Sequence, residues 1–402
     1  MRVLRLCPAF EAPPAALDSR FVRFNAVGGV QSNAASLTRG LDRRGVEQTV
    51  LTSPAPSAPV RGRVGRSATV LRLGLPVARR RGFFAAAAAA VAPVLARRAD
   101  LVHAHFTVDL GLAPVAVAVA RAYRLPLVAT IHCSLQHTFV ADDERSELIQ
   151  RRGGAVERWL AQSADAVIAL TPRTREMLST DGIDRERVHV IPSGVEPARF
   201  AGTSADPLPR LPRPRIAFVG RLEPEKDVAT LLRAAARLDR AAQVLVVGDG
   251  SLRSELDALA RRLGIAERVH ITGYLPASEL PAVLQHVDVL VHPARIEELG
   301  TAVVEAMFAG VPVVVSDCPG IPVTDGVEGL RAPAGDAAAF AAATDRLLAD
   351  PLLAARLGDG GRRRARSEHD WGVLSARVHD LYRDLLEAPR ASGAAGNAAR
   401  TS

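Results

Sequence analysis

Of the 51 lysine and arginine residues in this 402-residue chain a single one is lysine, Lys226, in the stretch Gly220-Arg221-Leu222-Glu223-Pro224-Glu225-Lys226. Where arginine has replaced lysine almost everywhere, the survivor marks a position that a guanidinium does not suit. Lysine is a compact, strongly hydrated point charge on a flexible stem, and arginine is a planar fork. A phosphate oxygen in a narrow site favours the former. The segment follows an apolar run, Ile216-Ala217-Phe218-Val219, and ligands of open α/β sheets gather at the carboxyl ends of strands. Arg221 and Lys226 are therefore expected to clamp a diphosphate and neutralise charge growing on a phosphate leaving group. For Arg221 the competing reading is a surface ion pair with Glu223 or Glu225.

A second constellation runs from Glu297 through Glu298-Leu299-Gly300-Thr301 to Glu305. The strand-like run before it and a helix beginning near Gly300 would aim the N–H groups of Gly300 and Thr301 at an anion. Glu305 falls within that helix among valine, alanine and methionine, where an unpartnered carboxylate is costly, and a ribose diol would supply two hydroxyl donors. Glu297 would reach a sugar. Two carboxylates beside a sugar also suit glycosidases, but phosphate donors between them fit a nucleotide-sugar better.

In the first half of the chain Gly28 and Gly29 open a helix, allowing close backbone approach to a phosphate. His132 follows the apolar run Leu127 to Ile131, where it would hydrogen-bond a sugar hydroxyl or the phosphate. His103 and His105 lie in or beside another strand-like run and read as core residues. No Asp-x-Asp signature occurs in the sequence and no His/Cys cluster suggests zinc, so no metal or other cofactor is expected.

These residues require a frame of alternating short apolar runs and helical segments, the mark of parallel strands with crossover helices. Strands are expected at Val3 to Leu6, Gln48 to Leu51, Leu101 to His105, Leu127 to Ile131, Ala166 to Leu170 and Val188 to Ile191. The pattern restarts at Ile216 to Val219, Val244 to Val247, Val269 to Ile271, Val289 to Val291 and Val313 to Val315. Between them prolines accumulate at Pro197, Pro207, Pro209, Pro212 and Pro214. The expected division is a first domain over 1–196, a linker over 197–214 and a second domain over 215–370, then a helix over 371–387 and a disordered tail over 388–402. The fold class is α/β, with two Rossmann-like doubly wound domains facing across a cleft.

Composition narrows the function. Net charge is +8, but basic residues are scattered and aromatics make up 4%, which argues against nucleic-acid binding. Three distant cysteines, Cys7, Cys133 and Cys318, together with an opening that reads as a strand and not as a signal peptide, point to a reduced, cytoplasmic setting. The apolar stretch from Phe83 to Ala96, flanked by arginines, is too short to span a bilayer and reads as a buried helix. Weak peripheral contact with an anionic membrane is its alternative.

Together the Gly28-Gly29 loop, Asp100-Leu101-Val102-His103-Ala104-His105, Ile191-Pro192-Ser193-Gly194-Val195, the Arg221/Lys226 segment, the Glu297 to Glu305 spacing and Gly310-Val311-Pro312-Val313-Val314 resemble glycosyltransferase family 4, retaining nucleotide-sugar enzymes of GT-B fold. The resemblance implies that Arg221 and Lys226 bind the donor diphosphate, Glu305 the ribose, and Glu297 and His132 the donor sugar. It also implies metal independence, retention by front-face attack, and a C-terminal helix crossing back to the first domain. Pro319 and Val323 depart from the Gly-Gly-x-x-Glu continuation common in the family, and Ser193 replaces its usual Asn or Asp. The segments Ala26 to Gln31, Arg44 to Gln48 and Thr130 to Ser134 look like aminoglycoside-pathway members that glycosylate 2-deoxystreptamine. That likeness implies a UDP-sugar donor, UDP-N-acetylglucosamine first, and a polyol or aminocyclitol acceptor. Asp142, Asp143 and Glu144 would meet its ammonium groups, unless they are only a solvated helix start. Competing readings are transfer to cell-envelope lipid or inositol-type acceptors from a UDP- or GDP-sugar, a nucleotide-sugar 2-epimerase, and a non-enzymatic sugar-nucleotide sensor.

Overall fold

A computed structural model describes residues 1–11, 29–54, 58–74, 81–107, 110–137 and 144–388. Strands β1 (Arg2–Cys7), β2 (Glu47–Thr52), β3 (Arg61–Val64), β4 (Ala68–Arg72), β5 (Leu101–Phe106), β6 (Leu127–Ile131), β7 (Ala166–Ala169) and β8 (Val188–Val190) form one sheet. Its order is β3-β4-β2-β1-β5-β6-β7-β8, and every pairing is parallel except β3 with β4. The second sheet takes β9 (Arg215–Val219), β10 (Gln243–Val247), β11 (Val269–Gly273), β12 (Val289–His292), β13 (Val313–Ser316) and β14 (Gly329–Ala332) in the order β11-β10-β9-β12-β13-β14. Strands of this kind are buried on both faces, which is why they read as unbroken apolar runs. All five residues of β6, Leu-Val-Ala-Thr-Ile, are buried.

Helices α1 (Gly29–Arg43), α2 (Arg81–Ala96), α3 (Leu112–Tyr123), α4 (Glu144–Ser163) and α5 (Pro172–Thr180) belong to the first sheet. The second carries α6 (Val228–Ala235), α7 (Arg253–Arg262), α8 (Leu280–Gln285), α9 (Thr301–Ala309), α10 (Ala337–Ala349) and α11 (Pro351–Glu368). Each sheet reverses its winding once, between β1 and β5 and between β9 and β12. Those reversals leave crevices at the strand carboxyl ends.

The last helix, α12 (Trp371–Glu387), returns to the first domain. Asp370 caps it by accepting from the Gly372 N–H at 2.6 Å. Trp371, Leu374, Val378, Leu381 and Tyr382 share one core with Val3, Leu37, Leu41 and Leu101. Burial of side chains of this size stabilises by about 1.5–3 kcal/mol each, so α12 is part of the first domain's core although the second domain precedes it in the chain. At the crossing, the Val195 N–H donates to His369 O at 2.8 Å and the His369 ring donates from Nδ1 to Ser193 O at 3.0 Å. Ser193 Oγ accepts from Asn33 at 3.1 Å. Ser193 is thus a buried tie between α1 and the crossing point.

The apolar stretch ending at Ala96 is a helix with Phe84, Ala88, Ala92 and Ala96 buried, while Val94 is 63% exposed. No described helix is long and apolar enough to cross a membrane. Strands β3, β4 and β14 were not expected. Their sequences, Arg-Gly-Arg-Val, Ala-Thr-Val-Leu-Arg and Gly-Leu-Arg-Ala, are short and interrupted by glycine, threonine or arginine, so no continuous apolar run marks them. The β3–β4 turn is held from α1, where Asp42 accepts from the N–H groups of Arg66 and Ser67, each at 2.7 Å. Of the expected tail, residues 389–402 lie outside the described residues.

Candidate functional site

The carboxyl ends of β9 and β12 flank the second reversal point. After β9 the chain makes a single turn, Pro224–Lys226, and Asp227 takes a left-handed conformation (φ 45°) before α6 begins. That strained residue is held by Arg295, whose Nε donates to the Asp227 carboxylate at 2.8 Å while its N–H donates to Glu225 O at 2.9 Å. The loop after β12 is thereby tied to the loop after β9, and Lys226 comes to face Glu297. Lys226 Nζ donates to Glu297 Oε2 at 2.7 Å, and both side chains are 14% exposed.

The same oxygen accepts from His292 Nε2 at 3.0 Å. His292, the last residue of β12, lies flat on Phe218, with ring centroids 5.9 Å apart at 10°. Burial alone would raise the Glu297 carboxyl, but the charge of Lys226 and the His292 hydrogen bond hold it well below the ordinary carboxylate range. Glu297 is consequently ionised at every physiological pH and can only accept hydrogen bonds.

Gly300 has φ 72° and ψ 59°, a conformation that a side chain resists, and it is the N-cap of α9. Among the described residues, no side chain caps this helix. The early N–H groups that α9 cannot satisfy internally are an anion-binding feature. Across the cleft, a Cβ built on Gly29 would lie 3.3 Å from Thr301 Oγ1, so the starts of α1 and α9 face one another. Gly28, Asp142 and Asp143 lie outside the described residues, and Glu144 is exposed at the start of α4.

Glu305, on α9 with its side chain 13% exposed, pairs with Arg199 Nη1 at 3.1 Å. Burial pushes its carboxyl up, and the Arg199 charge offsets this only in part. Arg199 comes from the linker turn Pro197–Phe200. Arg221 does not join the Lys226 cluster. Its guanidinium is 44% exposed and pairs with Glu225 at 2.5 Å, a contact worth about 0–1 kcal/mol that an arriving anion can displace.

On the first domain's edge, the His132 N–H donates to Phe106 O at 3.1 Å, placing the residue where β5 and β6 end. Its ring is 5% exposed. His103 and His105 are buried behind it. Glu298 bridges the domains by accepting from the hydroxyls of Thr171, at 3.3 Å, and Thr174 at the start of α5. Sequence reasoning missed His292, Arg295, Arg199 and Glu298. A histidine directly after an apolar strand was a usable signal for His292, as it was for His132; the others act across long separations that leave no local trace.

The departures at Pro319 and Val323 also have a place. Gly320 (φ 105°) packs so tightly that a Cβ would come within 2.4 Å of Glu298 O, and Val323 is buried in the core around α9. The loop after β13 therefore buttresses the Glu297-Glu298 backbone.

The family described as Glycosyltransferase Family 4 matches residues 27–199, and that described as Glycosyl transferases group 1 matches residues 204–364. The chain is 34% identical to 2-deoxystreptamine N-acetyl-D-glucosaminyltransferase of Streptomyces fradiae, over 87% of this chain and 89% of that one. It is 32% identical to 2-deoxystreptamine glucosyltransferase of Streptomyces kanamyceticus, over 80% and 90%. The fold matches Anabaena HepE, solved in complex with UDP-glucose, with a TM-score of 0.73 at 18% identity over 96% of this chain and 100% of that one.

Proposed function

We propose that this chain, which belongs to the family 4 glycosyltransferases and has their GT-B fold, moves a hexosyl group from UDP-N-acetylglucosamine to a hydroxyl of an aminocyclitol such as 2-deoxystreptamine, with retention of configuration. The observation that carries the reading is the Glu297 carboxylate gripped by Lys226 and His292 beside the open start of α9. A cation and a helix N-terminus receive the diphosphate, and an acceptor-only carboxylate receives the hydroxyls of the sugar attached to it. Both relatives act on 2-deoxystreptamine by name, which supports the acceptor, and the neighbour's bound UDP-glucose supports the donor base.

The bond between C1 of the sugar and the diphosphate oxygen breaks while the acceptor oxygen attacks on the same face. The acceptor's proton passes to the departing diphosphate. Negative charge growing on that group is met by Lys226, by the N–H groups opening α9 and by Arg221 once it leaves Glu225; such preorganised donors are commonly the largest catalytic contribution. In this reading no divalent metal is needed. Glu305 accepts from the ribose hydroxyls, and His132 contacts the sugar from the first domain. A glycosidase would require one carboxyl kept protonated as acid. Glu297, held far below that range, cannot fill that role.

The reading is tested by incubating UDP-N-acetylglucosamine with and without 2-deoxystreptamine in the presence of EDTA. A product of summed hexosyl mass with an α-anomeric proton coupling is expected only with the acceptor. An altered UDP-sugar without acceptor would establish a 2-epimerase instead, and transfer only to inositols or lipid extracts would reassign the acceptor.

A further inference from the structure

Arg5 is fully buried in the middle of β1, and among the described residues it has no carboxylate partner. Its Nη1 donates to Gln48 Oε1 at 3.2 Å, to Ala34 O at 3.3 Å and to Thr38 Oγ1 at 2.5 Å. Its Nη2 lies 2.7 Å from His105 Nε2. On the other side of that ring, His105 Nδ1 lies 2.9 Å from His132 Nε2. The His105 and His132 rings lie edge to edge and nearly coplanar, with centroids 5.2 Å apart at 19°. Behind them His103 stacks on His105 at 4.4 Å and meets the Tyr382 hydroxyl of α12 at 2.5 Å and the Thr130 hydroxyl at 2.7 Å.

Donor and acceptor bookkeeping permits one arrangement. A guanidinium only donates, so His105 Nε2 must be the bare, accepting nitrogen. Neutral His105 then carries its proton on Nδ1 and donates it to His132 Nε2. His132 Nε2 is therefore bare as well, and its ring proton sits on Nδ1. Among the described residues Nδ1 meets no partner. A second proton on His132 would place two N–H groups head to head at 2.9 Å.

We propose that Arg5, acting through His105, is the positioning device that fixes His132 as a neutral, Nδ1-protonated hydrogen-bond donor to an oxygen of the donor sugar, and so bars it from acting as a base. The role at the sugar rests on the glycosyltransferase reading; the tautomer does not. Burial first, and then the Arg5 charge, push His132 down to about 3, in keeping with a ring that never becomes cationic. The charged and titratable groups around it are Arg5 on β1, His103 and His105 on β5 and Tyr382 on α12, with Cys7 close to Arg5. Both other histidines and the tyrosine are pushed toward their neutral forms, burial being the largest cause for each.

The test is nitrogen-15 NMR of the full chain with labelled histidine, the His132 signal being assigned by its loss in His132→Gln. Expected in the free wild-type protein is a neutral Nδ1–H ring from about pH 5 to 8. An Nε2–H ring or an imidazolium in that range would overturn the proposal, whether or not the protein transfers sugar. His105→Leu removes the N–H that keeps His132 Nε2 bare and should populate the Nε2–H tautomer of a ring that burial still holds neutral. It should also raise KM for the donor about tenfold, the scale of one misdirected hydrogen bond. His105→Gln offers an acceptor toward Arg5 and a donor toward His132, and should restore most of that loss. An unchanged His132 tautomer in His105→Leu would also overturn the proposal. Were that variant not to fold, the wild-type spectrum would decide. A correct tautomer in a protein that transfers no sugar would refute the function alone.

Discussion

Replacing Lys226 by alanine removes a structural partner and, in the proposed reaction, a catalytic charge, and the structure allows the two to be separated. Lys226 Nζ and Glu297 Oε2 are 2.7 Å apart with each side chain 14% exposed, so the pair is sheltered from water. Removing one member of such a pair destabilises by about 3–5 kcal/mol because the other is left buried and uncompensated. Glu297 keeps its hydrogen bond to His292, which favours the lower end, about 3 kcal/mol. In the proposed reaction the same ammonium meets charge leaving with the diphosphate. Loss of one preorganised donor of that kind costs about 100- to 1,000-fold in kcat. Lys226→Ala should show both losses. In Lys226→Ala with Glu297→Gln the stranded charge is gone, so most of the stability should return while turnover stays low. Lys226→Arg should keep the ion pair but recover only part of the rate, since its longer planar fork must fit beside the carboxylate that His292 already engages.

Urea unfolding followed by circular dichroism reads stability, and UDP release in the presence of acceptor reads kcat. Glu297 is held below its ordinary range, so the pair's contribution is complete above about pH 4.5 and fades as the pH falls toward the depressed folded-state value. In Lys226→Ala the pair is absent and that acid-induced loss should shrink. A double variant no more stable than the single one would show that no ion pair exists in the free protein. Full turnover in Lys226→Arg would show that the lone lysine is a compositional accident.

Three neutral buried histidines, His103, His105 and His132, should make the protein acid-sensitive. Their folded values are depressed, so the unfolded chain takes up protons that the native chain refuses, and stability should fall by about 4 kcal/mol between about pH 7 and pH 5.5; a flat urea midpoint over that range would contradict the cluster. Arg199→Ala removes the charge that partly offsets burial of Glu305. The Glu305 carboxyl should then rise further, with KM for the donor increasing most at the acid end of the pH profile and kcat changing less; a pH-independent loss would refute it. Glu298→Ala breaks the bridge to Thr171 and Thr174 and should raise KM for the acceptor several-fold while leaving UDP binding, measured by calorimetry, unchanged. Neutralising Asp142, Asp143 and Glu144 together should weaken aminocyclitol saturation alone, and equal damage to donor binding would sink that assignment.

Where apolar runs were continuous, as at Leu127 to Ile131, the strand could be read directly, because burial on both faces leaves no other composition. Gly300 could be read as a helix start because few residues accept its conformation. Arg221, Lys226, Glu297, Gly300 and Glu305 could be picked out together because they lie within two loop-to-helix segments. What sequence could not show is how those groups are held. Glu298 meets Thr174 across 124 positions, Arg199 meets Glu305 across 106, and Arg5 meets His105 across 100. None of these separations has a periodicity to betray it. His105 was read as a core residue, and it is one; its hydrogen-bond polarity emerges only with Arg5 beside it. Arg221 offered two readings, and the free protein adopts the surface pair with Glu225.

The central claim is that the diphosphate of the donor lies between Lys226 and the start of α9. A crystal structure with UDP bound tests it most directly. Expected is a β-phosphate oxygen within hydrogen-bond distance of Lys226 Nζ and of the first N–H groups of α9, with Arg221 turned away from Glu225 and the ribose hydroxyls on Glu305. A diphosphate bound elsewhere, with the Lys226–Glu297 pair undisturbed and α9 uncapped, would contradict it.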